Sequence, residues 1–587
     1  MRAQKRRLSD LELRCQAYEE LFDILRSQPE NASTQILQRI RAGADVSAVV
    51  KAIRDSDLLI HLALNPEYRC RYEFPYRDEM PPFLGNRENP YLQSNLYEKL
   101  RTLSPHRILT KESMRDIENE SERMYFMPYH AAEIVDPRIS AVDAPYWTTV
   151  SSDNTMLRVL LGTYFVTEYQ FHPYFDKDLF LEDMVNGRTR FCSALLVNAI
   201  LAAAWHGYRP TTDRAAHWMP ENIGYRFFAE ARRLLDLERA NATITTIQAA
   251  AILSLTCTVN GVDDLGWPYL QMSLAMAKTL NLFSYTPESD QEWQRAAAIT
   301  AWGLFNWQAF AAYHNFQPPY LPEPPAHPLP GLVHESGNDD EILLNYPFAK
   351  QPASAFHSAA FRAMSRFCMM MNDVGKQSWA SPRGYSGMTY AVASGLKLRL
   401  LECMHFHVVI ISMFEPFIGT DMPPGEASAE TIVAESKACF ETLIRIYYLR
   451  HGFESYDPSL FQFLPLLAYS ALEDMRRAEG DSRLYESVRS TLVLCARGLR
   501  DQGRCYFASE ATLRLLLESV GPEDAGLLKE FTEIEQDDGR LRHMAREIRS
   551  EWPIGAFSIP REGNYRTLGN FIRTWEANRS ASGSVSS

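Results

Sequence analysis

Residues Thr245–Val259, "TTIQAAAILSLTCTV", are apolar or small on every side, with no Gly or Pro to interrupt them. As a helix this stretch has no face to give to water, so other elements must surround it. Thr243 or Thr245 can cap its start. The rest of the chain supplies the surrounding layer. "GYRFFAEARRLLDLE" (Gly224–Glu238) places Phe227, Phe228, Ala231, Leu234 and Leu235 on one broad face. Ala- and Leu-rich or amphipathic stretches recur at 190–205, 265–283, 292–313, 396–414, 430–450, 458–478 and 483–502. Strand-like alternation is scarce, and the connections between these stretches are short. The spacing predicts an all-α, multi-helical protein.

At 587 residues the chain exceeds one ordinary core, so several packed units or one long helical array are expected. Hydrophobic residues at 46% and charged residues at 23% are ordinary for a soluble globular protein. The net charge of −13 turns the body away from nucleic acid and from acidic membrane. The compact basic patch is Arg2, Lys5, Arg6 and Arg7. It has two readings, weak phosphate contact with DNA or part of a nuclear import signal. No apolar run reaches membrane-spanning length, so no membrane partner is expected. The N-terminus lacks the apolar core of a secretory signal, which leaves the sequons at Asn31, Asn241 and Asn578 without weight. Nine scattered cysteines contain no C-x-x-C pair and read as reduced, buried thiols.

Along the chain, residues 1–28 form a basic tip and a heptad helix whose seam is Leu8, Leu11, Cys15, Tyr18, Phe22 and Leu25. The steps alternate three and four, the repeat of a short coiled coil. The alternative is a helix packed on the body. Residues 29–64 read as short helices, and 65–150 as an irregular linker rich in Pro, Tyr and charge. A helical body over 151–430 contains a Pro-rich break at 317–340, expected to run extended over the surface. A helical C-terminal region follows over 431–577, and the tail 578–587 is disordered by composition.

Catalytic signatures are missing. The sequence contains no phosphate-binding GxxxxGK[ST], no HExxH and no GxGxxG, and "GYSG" at 384–387 lacks the spacing of a nucleophile elbow. The acidic pairs at Asp263–Asp264 and at Asp339–Glu341 read as solvated turns or helix N-termini rather than magnesium ladders. Cys403 and His407 share a helical face, but two ligands do not make a zinc site, and packed histidines are the simpler account. No catalytic or metal residue is assigned, and the chain is not expected to be an enzyme.

Read in order, several stretches resemble the central regulatory region of fungal binuclear zinc-cluster transcription factors of the xylanolytic and nitrate-assimilation activator type. They are "YFVTEYQFHPYFDKDLF" (Tyr164–Phe180), "FCSALLVNAILAAAW" (Phe191–Trp205) and "FFAEARRLLDLERANATITTIQAAAILS" (Phe227–Ser254). "GWPYLQMSLAMAKTLNL" (Gly266–Leu282), "AWGLFNWQAF" (Ala301–Phe310) and "MHFHVVIISMFEPF" (Met404–Phe417) follow. The chain departs from the family pattern at Gln271 and Ser273, where small residues are usual. It departs again at Trp307–Ala309, in place of a common Asp-Arg, and at Glu415, in place of Arg.

The resemblance implies an all-α regulatory domain in a nuclear regulator of RNA polymerase II-dependent genes. Family members read DNA through a six-cysteine cluster holding two zinc ions, followed by a basic linker and a dimerising coiled coil. Here the basic tip and seam match the linker and coiled coil, while the clustered cysteines are missing. The resemblance therefore implies no cofactor in this chain and a homo- or heterodimer through the N-terminal helix. It also implies DNA contact only through an absent module or a partner, and work with the transcription machinery. The alternative is a helical scaffold or metabolite sensor that does not bind DNA and signals through dimerisation.

Overall fold

The structure is a computed structural model. It describes residues 71–103, 128–330, 342–379, 404–420, 427–534, 546–554 and 567–574, with Tyr18, Ala393 and His543. Positions 86–88, 212–213, 286, 288–289, 348, 350 and 479 within those spans are excepted.

The expected buried helix is there, and the others wrap it. The N-terminal part of the body contains α1 (Asn95–Thr102), α2 (Pro137–Ala141), α3 (Asn154–Thr167), α4 (Lys177–Asn186) and α5 (Ala194–Ala204). It continues with α6 (Ile223–Glu238), α7 (Ile244–Val259), α8 (Asp263–Thr279) and α9 (Gln291–His314). Every residue of α7 is buried. Its start is fixed by a capping box, in which Thr243 accepts from the Thr246 amide and Thr246 Oγ1 accepts from the Thr243 amide. Each neighbour has a local reason to begin where it does. Asp153, Asp176, Ser193, Asn222 and Asp290 accept from first-turn amides of α3, α4, α5, α6 and α9. Helix α8 doubles back against α7, and a Cβ at Gly266 would sit 2.9 Å from Ser254 O. The pair is close because that side chain is absent. Gly303 does the same for α9, since a Cβ there would meet Pro173 O at 2.3 Å.

The second half adds α10 (His357–Trp379), α11 (Met404–Phe414), α12 (Ala429–His451) and α13 (Leu460–Arg477). It ends in α14 (Ser482–Gln502), α15 (Phe507–Ser519) and α16 (Pro522–Thr532). One contiguous core runs from Tyr72 to Ile572, crossing residue 430 without a break. A small antiparallel sheet ties the segments before α2 and before α10 together. Its strands are β1 (Glu133–Ile134), β2 (Leu343–Asn345) and β3 (Ala353–Ser354), with Ile134 opposite Leu344 and Leu344 opposite Ala353. Arg445 is buried in α12, paired with Glu441 at 3.0 Å and donating to Ser490 and Thr491 of α14 at 2.9 and 2.8 Å. Its charge is matched rather than orphaned.

The segment expected to be an irregular linker, 65–150, contains α1 and α2 among its described residues, and these are fastened to the body. Tyr72 and Phe74 are buried beside Tyr448, and the Tyr72 amide donates to Leu449 O at 2.9 Å. Asn89 donates to Thr442 at 2.8 Å, and Trp147 Nε1 to Met184 O at 3.1 Å. Aromatic anchors and single polar bonds do here what periodicity does elsewhere. Residues 317–330 of the Pro-rich stretch run along the body, held by buried amide side chains. Gln308 accepts from the Leu321 amide at 3.1 Å, and Asn372 donates to Leu321 O and Pro322 O at 3.1 Å.

One expectation needs correction. Asp263 opens α8, as a helix N-terminus should, but it is buried, not solvated. Its carboxylate accepts from the Glu551 amide at 2.9 Å, and burial raises its pKa to about 6. The Asp264 amide donates to Arg549 O at 3.3 Å, and Arg549 Nη1 lies 3.7 Å from Asp264 Oδ2. The two acids hold a C-terminal strap, residues 546–554, against the α7–α8 hairpin. Arg549 N donates to Gly261 O at 2.9 Å in the same contact.

Candidate functional site

Trp552 of the strap lines a small cavity of about 40 Å³. Helix α7 contributes Leu255, Thr258 and Val259, and α9 contributes Asn306, Trp307 and Phe310. Met364 and Cys368 come from α10, His405 from α11, and Phe461 and Gln462 from α13. Phe171 and His172 follow α3, Pro458 and Ser459 precede α13, and Trp552 comes from the strap. Phe171, Trp307, Phe310, Phe461 and Trp552 give the wall its aromatic part. Trp307 stacks on Phe310 at 5.9 Å and donates Nε1 to Ser254 Oγ at 3.2 Å, which fixes its plane.

The polar groups are few and buried. Asn306 donates Nδ2 to Ser365 Oγ at 2.9 Å, while its Oδ1 has no partner. Gln462 donates Nε2 to His314 Nδ1, while Gln462 Oε1 and His314 Nε2 have none. His314 packs behind the wall, 4.4 Å from Phe310 and 6.2 Å from Trp552 by ring centres. Burial lowers the His172 pKa to about 4. Burial and the nearby His172 ring lower His405 to about 3, and burial with His405 holds His314 well below its usual range. All three rings are neutral at pH 7. No Lys, Arg, Asp or Glu among the described residues lines the cavity. It is a place for an uncharged hydrogen-bonding group.

The site residues expected from sequence fall elsewhere. Leu8, Leu11, Cys15, Phe22 and Leu25 of the seam, and Arg2, Lys5, Arg6 and Arg7 of the basic tip, lie outside the described residues, as do Cys403 and Asp339–Glu341. Tyr18 is described, and it is helical and 52% exposed. His407 sits against Tyr91, with Nε2 2.9 Å from the phenol oxygen, as a packed histidine does. Among the described residues, no three His, Cys, Asp or Glu side chains are placed to hold a metal ion. Cys192, Cys257, Cys368, Cys439, Cys495 and Cys505 are buried free thiols, and burial raises Cys439 to about 11. The described helices therefore do not fit the cysteine-bound zinc pair of the resembled family. Sequence reasoning missed the cavity. Its signal was polar residues, Asn306, His314 and Gln462, on helices otherwise apolar at those turns.

The helices from α3 to α9, with the small sheet and the later helices packed on them, form a mainly helical body around an uncharged cavity. Residues 161–313, from α3 through α9, match the model of the fungal specific transcription factor domain. Over those residues the chain is similar to fungal transcription factors. It is 25% identical to the nitrogen assimilation transcription factor nirA of Emericella nidulans, over 63% of this chain and 45% of that protein. It is 28% identical to the notoamide biosynthesis transcriptional activator notL' of Aspergillus versicolor, over 49% and 46%. The nitrogen assimilation transcription factor nit-4 of Neurospora crassa is 29% identical over 61% and 35%. The chain thus spans less than half the length of the curated relatives it matches. No solved structure matches it.

Proposed function

We propose that the protein is a nuclear regulator of RNA polymerase II-dependent transcription, and that its helical body is the part that receives or relays the controlling signal. The observation that carries this reading is the transcription factor domain match over 161–313, which includes α7 and α9 of the cavity wall. The relatives, named as transcription factors and an activator, support regulation rather than catalysis. The chain uses no cofactor in its helical body. DNA is reached through a zinc-cluster module or a partner protein, and the chain self-associates through residues 8–28. Six apolar side chains on a charged helix gain burial only against a partner or the body.

Two experiments test this. Tethered to a heterologous DNA-binding domain upstream of a reporter in a fungal host, the chain should change transcript level at least severalfold. A reporter unmoved in either direction, with the fusion present in the nucleus, argues against the regulatory role. Sedimentation of wild type and Leu11→Asp should give a dimer and a monomer. Two identical monomer masses would refute dimerisation through the seam and leave the regulatory role standing.

A further inference from the structure

A groove of about 650 Å³ lies between α12 and α13. Its floor is apolar, formed by Val433 of α12, Leu467 and Ala471 of α13 and Val488 of α14. Phe83 and Ile418 stand at its edge, 37% and 41% exposed, large apolar side chains left partly in water. Its charged lining is five acids against two bases. Glu441 is matched by Arg445 in the core. Glu415, Glu430, Glu435 and Asp474 still outnumber Lys437 and Arg477. Arg477 is also divided, 3.4 Å from Asp474 and 3.8 Å from Glu473. Burial raises the Asp474 pKa even with both cations nearby, so they do not offset its desolvation.

We propose that this groove receives the chain's own N-terminal tip, with Arg2, Lys5, Arg6 and Arg7 against the acidic rim and Leu8 and Leu11 on the apolar floor. Charge complementarity carries the assignment. The tip places four cations before its first acid, Asp10, and two leucines three residues apart that share a face in a helix. Those are the chemistries the rim and floor lack. The chain between Leu11 and Arg71 extends to on the order of 200 Å, so its length does not keep the tip from the groove. Nucleic acid and acidic lipid are repelled by the same rim. A bare cation would leave the apolar floor and Phe83 uncovered. Leu8 and Leu11 also head the seam proposed for self-association, so docking and pairing compete for its first heptad. A docked tip is withheld from phosphate or an import receptor. The inference does not rest on the transcriptional role, because docking is read on the purified chain.

The test is carbodiimide cross-linking of the full-length protein, with unlabelled and 15N-labelled chains mixed and allowed to exchange before coupling. Mass spectrometry should find Lys5 joined to Glu430, Glu435 or Asp474 within one isotope. The tip should also resist trypsin, and Glu435→Lys should speed cleavage after Arg7 severalfold while circular dichroism stays that of wild type. Protection that came from the coiled coil alone would not respond to that change. Three results overturn the proposal. One is the absence of any Lys5 link to a groove carboxylate. Another is links joining different isotopes, which would make a second copy the occupant. The third is an unchanged cleavage rate in folded Glu435→Lys. If that variant fails to fold, Arg6→Glu/Arg7→Glu decides, since it leaves the groove intact and should cut the Lys5 link severalfold; an undiminished link refutes charge-guided docking.

Discussion

Glu168 shows how far burial can move one side chain. It is 2% exposed at the end of α3, accepts from the Tyr456 hydroxyl, and leaves Oε2 without a partner. Burial raises its pKa from 4.5 to about 7, with the Tyr456 bond opposing and Asp457 assisting. The sign of the stability effect follows. Between pH 4.5 and 7 the unfolded chain ionises this group while the folded chain keeps its proton. Stability therefore falls as pH rises through that window, by up to about 3 kcal/mol at about 1.4 kcal/mol per pH unit. The buried histidines work the other way, since their lowered folded pKa values cost stability as pH drops below 6.5. The variant Glu168→Gln separates the two, because it removes only the first. In urea titrations it should match wild type near pH 4.5 and exceed it by about 2–3 kcal/mol at pH 8. A wild-type-minus-variant difference that stays flat with pH would mean Glu168 is ionised inside the fold.

Among the elements, α7 depends most on a good start, because all of it is buried and its first amides have no water to turn to. Thr243→Ala removes the oxygen that accepts from the Thr246 amide at 3.4 Å, and should destabilise the protein by about 1–2 kcal/mol. Thr243→Ser keeps the oxygen and should recover most of that in equilibrium unfolding. Equal losses in the two variants would place the effect in the methyl group's packing. This helix was legible in sequence because its pattern is local, an unbroken apolar run behind a Thr cap. The broad face of α6 was equally legible, with Phe227, Ala231 and Leu235 buried as its spacing predicts. The strap and the Tyr72 segment were not. Their positions are set by single bonds between residues far apart in the chain, Glu551 to Asp263 and Tyr72 to Leu449, and no period encodes such a bond. The cavity was visible only as anomaly. Trp307 and Gln308 stood out as departures from the family's Asp-Arg, and one walls the space while the other anchors the Pro-rich stretch. What lines a cavity depends on α7, α9, α10, α11, α13 and the strap meeting, which spacing within any one of them does not specify.

At the scale of the whole molecule, the helices before and after residue 430 share contacts too central to separate cleanly. Tyr456 donates to Glu168 and stacks on His206 at 5.4 Å, while Phe463 meets His405 at 4.6 Å. The Tyr129 amide donates to His451 Nδ1 at 2.9 Å, and Trp552 packs on both Phe310 and Phe461. Removing either half would expose these rings and orphan the buried polar groups, so each half stabilises the other. The tryptophans make the consequence measurable. None lies between residues 380 and 551, so α12 to α16 hold no fluorescent indole, whereas helix content reports on both halves. A second half that melted on its own would change circular dichroism at a urea concentration where most of the indole signal stayed still. The shared core predicts coincident transitions by the two probes, with midpoints agreeing within about 0.2 M. A circular dichroism step of roughly a third of the amplitude, separated from the fluorescence transition, would show that the chain is two cooperative units. The contacts at Tyr456, Phe463 and Trp552 would then be a docking surface between them, and not one core.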